Sequence, residues 1–96
     1  MGKPTVNFYV EVSVSWPEAS AEDVHEEVIK PMEEVFSNIK DLNRIFGTAE
    51  DGIGRVVLFF KGSARDNEIT QAIKRQLALI DEFPQTAEDP QIILRR

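Results

Sequence analysis

From Val6 to Trp16 apolar and polar residues alternate one for one. Val6, Phe8, Val10, Val12, Val14 and Trp16 fall on one side, and Asn7, Tyr9, Glu11, Ser13 and Ser15 on the other. A period of two, rich in β-branched residues, predicts a half-buried strand. Pro17 closes it, because proline cannot donate to a sheet ladder. The period then changes. Ser20-Ala21-Glu22-Asp23 reads as a helix start, with a hydroxyl able to accept from free N–H groups and acids that suit the positive end of the dipole. Val24, Val28, Met32, Val35 and Ile39 follow at helical spacing, and Ile29 and Phe36 widen the stripe. Pro31 falls inside it and should cost about 3 kcal/mol through a lost hydrogen bond and a clash with the preceding turn. The stripe keeps its phase through Pro31. The pattern therefore predicts one helix, bent near Glu27 to Pro31, with Asn38 as a left-handed cap.

Two short extended runs come next, about Arg44 to Ala49 and Arg55 to Lys61. The Asp51-Gly52 pair between them is a hairpin-turn signal. A second helix starts near Asp66. Its stripe of Ile69, Ala72, Ile73, Leu77 and Ile80 has helical spacing, and Pro84 ends it. Gln91 to Arg95 forms a last short strand. The order strand, helix, strand, strand, helix, strand predicts an α+β ferredoxin-like split βαβ sandwich. Its four-stranded antiparallel sheet carries both helices on one face. The predicted core is Val10, Val12, Val14, Val28, Met32, Val35, Val56, Leu58, Phe60, Ile73, Leu77, Ile92 and Leu94. The opposite face is left uncovered and carries Tyr9, Phe46, Val57, Phe59 and Ile93, enough apolar area to predict a partner.

Composition narrows the function classes. The 96 residues suit one small domain, and the absence of cysteine removes disulfides, thiolate metal sites and cysteine nucleophiles. The longest apolar run, Val56 to Phe60, is far short of the ~20 residues that span a bilayer. The net charge of −6 argues against a nucleic-acid partner, which wants a basic face. That charge is localised: from Glu18 to Glu34 there are seven acids and one base, Lys30, and the rest of the chain is balanced. Such a segment reads as a solvated helix face.

Catalytic chemistry finds little footing. His25 is the single histidine, and a metal or catalytic imidazole needs partners to orient it. Glu26-Glu27 and Glu33-Glu34 are neighbours on a helix, so their side chains diverge by about 100°. Glu26, Lys30 and Glu34 fit i,i+4 ion pairing instead. Gly52-Ile53-Gly54 lacks the third glycine and the following helix of a phosphate loop. Ser13 and Ser15 have no base nearby in sequence and no nucleophile elbow. The residues around Phe59 do not match an RNA-recognition pattern, and Trp16 to Ser20 offers no glycine-rich anion cradle of the acylphosphatase kind. No metal, cofactor or enzymatic activity is implied.

The ordered set of segments does resemble a known family. Val10 to Val24, with Trp16-Pro17-Glu18-Ala19-Ser20 at its centre, resembles the strand, aromatic-Pro-Gly-Ala turn and helix start of the resistance-nodulation-division (RND), or acriflavine-resistance, efflux pumps. Val28-Ile29-Lys30-Pro31-Met32-Glu33-Glu34 is similar to that family's Val-x-x-Pro-Leu-Glu-Glu helix. Ile39 to Ile45 resembles its Ile-x-Gly-Leu-x-x-Ile segment, and Gly52 to Phe60 its Gly-x-x-x-Val-x-Leu-x-Phe strand. Phe83-Pro84 and Asp89-Pro90-Gln91-Ile92 resemble its Leu-Pro and Pro-Pro-Val-Val elements. The likeness covers about residues 6 to 95. Glu18 stands where the family turn usually has glycine, Asn38 where a glycine ends the helix, Ser63-Ala64-Arg65-Asp66 where Gly-Thr-Asp precedes the second helix, and Gly47 and Ala49 where serines are common.

The resemblance implies that residues 1–96 are one excised subdomain, the first N-terminal porter subdomain of a much longer proton-driven exporter. Its expected partners are the remaining porter subdomains and membrane helices of the same chain, two further copies in a homotrimer, and a periplasmic adaptor with an outer-membrane channel. The expected location is the periplasmic side of a bacterial inner membrane, and no catalysis is expected of this piece. By position, the substrate path would draw on Ser13, Arg55, Ile93 and Arg95 of the open sheet face. Gln71, Lys74, Arg75 and Ala78 would line the trimer pore. Two arginines beside Tyr9 and Phe59 would suit anionic or amphipathic aromatic substrates, unless they merely pair with Glu11 and a covering domain. The alternative reading is a free-standing ferredoxin-like regulatory or interaction domain that binds a small ligand or a partner chain.

Overall fold

The computed structural model describes residues 8–61, 66–81 and 83–95. Val6 and Asn7 of the first predicted strand, and Ser63-Ala64-Arg65 before the second helix, lie outside the described residues. Strand β1 (Phe8–Ser15) leads into a first helix over residues 21–36. A hairpin of β2 (Leu42–Glu50) and β3 (Ile53–Phe60) follows, then a second helix (Asp66–Leu77) and β4 (Gln91–Arg95). The sheet order is β2-β3-β1-β4, and every neighbouring pair is antiparallel. The first helix thus carries the chain from β1 across β3 to the edge position of β2. This is the predicted α+β ferredoxin-like arrangement.

Register fixes which residues meet. Val10 pairs with Leu58 and Leu94, and Val12 with Val56 and Ile92. Val10, Val12, Val14, Val56, Leu58 and Phe60 are fully buried beneath Val24, Val28, Ile29, Met32 and Phe36 of the first helix and Ile69 and Ile73 of the second. Each such side chain removed from water contributes ~1.5–3 kcal/mol. Val57 and Phe59 remain half-exposed, so the one-residue slip that would exchange the two faces of β3 does not occur. Val35, Leu77 and Ile92 pack only at the margin of this core. Leu94 was expected inside and is 37% exposed. It shares the core-side face with Val10, but β4 is an edge strand and one flank of Leu94 has no neighbouring strand.

The first helix starts as its sequence directs. Ser20 Oγ accepts from Asp23 N–H at 3.1 Å, and Asp51 Oδ1 of the hairpin accepts from Ala21 N–H at 2.8 Å. Two of the free donors are satisfied, one locally and one from residues thirty positions away. The disruption expected near Pro31 takes the form of a π turn, His25–Ile29, between α-helical Ala21–Val24 and Lys30–Phe36. Lys30 N–H reaches back to the His25 carbonyl, five residues away. The ring of Pro31 would collide with the carbonyl of Glu27 in a regular helix, and Glu27 lies inside the widened turn. The cap expected at Asn38 is corrected: the left-handed residue is Asp41, with φ 68°, where the chain turns into β2. The helix itself closes on Ser37, whose N–H meets the Glu33 carbonyl and whose Oγ donates to the Glu34 carbonyl.

The second helix stops at Leu77, before the expected Ile80. Leu79 N–H to Gln76 and Ile80 N–H to Leu77 then tighten the chain into i→i+3 turns. At one end of the sheet several connections converge. Trp16 N–H donates to the Gly52 carbonyl at 2.8 Å, and Gly52 N–H to the Ala19 carbonyl at 2.9 Å. Glu88 N–H donates to the Ser15 carbonyl at 2.7 Å. Trp16 Nε1 donates to Thr86 Oγ1 at 2.7 Å. Glu18 lies in this region with φ 75°, a left-handed conformation that fits glycine far better than glutamate. It is the very position where the resembled turn has glycine.

Candidate functional site

The uncovered face of the sheet is built by the alternate residues of all four strands. Three rows follow from the register. Tyr9 stands between Phe59 and Arg95, Glu11 between Val57 and Ile93, and Ser13 between Arg55 and Gln91. On the outer side β2 adds Arg44, Phe46 and Thr48 beside Phe59, Val57 and Arg55. Arg44 reaches this face by ordinary alternation with Phe46 and Thr48, and the bulge between Leu42 and Arg44 returns Leu42 to the core side.

The four residues carried over from the resemblance all lie here. Ser13 and Arg55 are direct cross-strand partners near the hairpin end. Ile93 and Arg95 sit on β4, with Arg95 beside Tyr9 at the opposite end. Four residues of strand separate the Gln91 and Arg95 positions, about 13 Å. Ser13 and Arg55 therefore stand at one end of the face, Arg95 at the other, and Ile93 in the row between, beside Glu11.

Aromatic rings dominate the end that holds Arg95. The Tyr9 and Phe59 ring centroids are 5.4 Å apart and tilted by 41°. Phe59 and Phe46 meet edge to face at 6.0 Å. The Arg44 guanidinium lies 4.9 Å above the Phe46 ring, an attraction of ~0.5–1 kcal/mol at an exposed site. Phe46 is still 47% exposed. Arg44 was not singled out from the sequence, although its alternation with Phe46 and Thr48 is the signal that places it on this face.

Arg55 does not pair with Glu11. Its Nη1 lies 2.9 Å from Glu50 Oε2, on the other strand of the same hairpin. Half of the expected pair of arginine charges is thereby compensated, and Arg44 and Arg95 carry the positive character of this face. Glu11 has no ion-pair partner among the described residues.

The residues expected at a trimer pore also share a side. Gln71, Lys74 and Arg75 are exposed on the second helix, opposite Ile69 and Ile73, and Ala78 is exposed in the turn that follows. His25 is exposed on the first helix, with Nδ1 3.3 Å from Glu26 Oε2. Among the described residues no group of three or more histidine, aspartate or glutamate side chains could hold a metal ion. Gly54, read against a phosphate-loop role, is a buried strand residue facing Val24, Val28 and Ile29.

No described helix is long and apolar enough to cross a membrane. A search among curated proteins finds no match to the chain. A family model described as the AcrB/AcrD/AcrF family matches residues 4–95, nearly the whole sequence. Members of that family are transporters of the inner membrane and not enzymes in the usual sense. The chain belongs to the AcrB/AcrD/AcrF family of RND efflux transporters.

Proposed function

We propose that these residues form the first N-terminal porter subdomain of a proton-driven, homotrimeric RND exporter, on the periplasmic side of the inner membrane. The observation that carries this reading is the uncovered sheet face, taken with the family match over residues 4–95. One continuous surface holds Ser13, Arg55, Ile93 and Arg95 with an aromatic cluster toward the Arg95 end, and an uncovered face of this kind is normally covered or occupied. In this role the subdomain binds and moves, and carries out no catalysis of its own. Its open face contributes to the substrate path, and Gln71, Lys74, Arg75 and Ala78 pack toward the pore of the trimer. Its further partners are the other porter subdomains, the membrane helices, an adaptor and an outer-membrane channel. Amphipathic aromatic substrates suit the Tyr9-Phe59-Phe46 cluster, and Arg44 and Arg95 favour those that carry an anionic group.

The full-length exporter provides the test. Arg55→Ala and Ser13→Ala, at equal expression, are expected to change export of some substrates and leave others untouched. Unchanged export of every substrate tested would make the face a packing surface and refute its place in the path.

A further inference from the structure

Along the flank of the first helix, at the margin of the core, lies a groove of about 470 Å³, closed on its other wall by the turn after the second helix. Its floor is apolar: Pro31 and Val35 from the helix and Ile80 from the turn are half-buried. Leu79 on the rim is 64% exposed, the most exposed large hydrophobic side chain among the described residues. Glu27 and Glu34 stand along one edge and Asp81 on the other. None of these three carboxylates has an ion-pair partner among the described residues, and Lys30, the cation of this helix, is taken by Glu26 at 3.3 Å.

From this geometry we infer that the groove docks a cationic amphipathic helix of a partner protein, with lysine or arginine seven positions apart flanking aliphatic residues. Three features set that chemistry. Glu27 and Glu34 are seven residues apart, about 10 Å along the axis at 1.5 Å per residue, so cations two turns apart on an antiparallel helix reach both. The apolar floor between them takes the side chains at the intervening i+3 and i+4 positions. Uncompensated carboxylates around apolar area repel acidic segments and attract cationic ones over neutral ones, which fixes partner choice more than affinity.

A second copy of this chain does not fit. Among the described residues the second helix carries only the adjacent cations Lys74 and Arg75, and the first helix only Lys30. Neither has two cations seven positions apart. The inference does not rest on the transport reading, since it uses a surface on the opposite side of the molecule from the open sheet face.

The probe is a 15-residue Ala/Leu/Lys helix with lysines seven apart on either side of a leucine pair. Its control has the same composition with the lysines distributed over all faces. Binding to the 96-residue chain is measured by calorimetry at about 20 mM and 150 mM salt, with circular dichroism as a fold check on each variant. The patterned peptide should bind at least tenfold more tightly than the control at the lower salt. Glu27→Gln with Glu34→Gln should abolish that advantage, and Leu79→Ser should weaken binding at least threefold at both salt concentrations. All three substitutions are at the surface and should leave the fold intact. Equal binding of the two peptides, or variants that bind like the parent, would overturn the inference by showing only diffuse charge attraction. Sedimentation that reveals self-association lost in the Glu27→Gln/Glu34→Gln variant would overturn it too, by making a second copy the occupant.

Discussion

Ile29 occupies the space that a side chain at residue 47 would need. A β-carbon built on Gly47 would overlap Ile29 Cγ2 and come within 3.0 Å of the Glu33 carboxylate. Ile29 closes the π turn and is fully buried, so the widened helical turn presses directly onto β2 at a glycine. Gly54 on β3 makes the same allowance: a β-carbon there would lie 2.9 Å from Val24 and 3.0 Å from Ile29 Cδ1. The π turn and the two glycines are parts of one packing solution.

Gly47→Ala should therefore destabilise the fold by about 1–3 kcal/mol, the usual range for overpacking, because a stiff β-branched side chain cannot yield easily. Pairing it with Ile29→Ala should give a loss well below the sum of the two single losses. Urea unfolding of the four chains checks both statements. Additive losses would mean that the contact is not the cause.

Glu18→Gly should stabilise. The left-handed backbone costs a non-glycine residue roughly 1–2 kcal/mol, partly offset by the greater freedom of glycine in the unfolded chain. A net gain of about 0.5–1 kcal/mol is expected in the same unfolding measurement. Gly52→Ala, at φ 81°, should move stability the other way.

At the start of the first helix, Ser20→Ala and Asp51→Ala each remove one acceptor, from Asp23 N–H and Ala21 N–H. Each should cost about 1 kcal/mol. The Asp51 change should also speed amide exchange at Ala21 without affecting Asp23, because the two acceptors serve different donors.

Leu58 and Phe59 are neighbours on opposite faces of β3. Leu58→Ala should cost ~2–5 kcal/mol because it empties the core. Phe59→Ala should cost this chain less despite the larger ring, since Phe59 is half-exposed and loses mainly its contacts with Tyr9 and Phe46. Calorimetric melting of both variants gives the order. In the full-length transporter the gap should narrow if another subdomain covers the ring.

The strands with strict alternation, β1 and β3, were legible because each residue takes its face from a period of two and both strands are central. Gln91–Arg95 neither alternates nor is central, and was legible as a short apolar run after a polar loop. The departures all have local causes that no period encodes. The bulge between Leu42 and Arg44 carried β2 on to Leu42 and put that side chain against the core, and an edge position exposed Leu94. Asp41 took the left-handed conformation expected of Asn38 because the reversal into β2 comes five residues after the helix ends at Phe36. Arg55 chose Glu50 over Glu11, since a hairpin brings Glu50 within reach across a two-residue loop. The candidate site was legible as a face, through alternation, and its residue roles came from resemblance and not from physics.

The bonds that gather Ser15, Trp16, Ala19, Gly52, Thr86 and Glu88 have a mechanical consequence. They join the outlets of β1, the β2–β3 hairpin and the approach to β4 at one end of the sheet. Load applied to any one of these connections is shared by the other two before a strand pair begins to shear. A tug delivered at that end would swing the sheet as one lever instead of peeling it strand by strand. The Trp16–Thr86 bond, spanning seventy residues of chain, is the rivet whose loss would let the β4 side hinge away first.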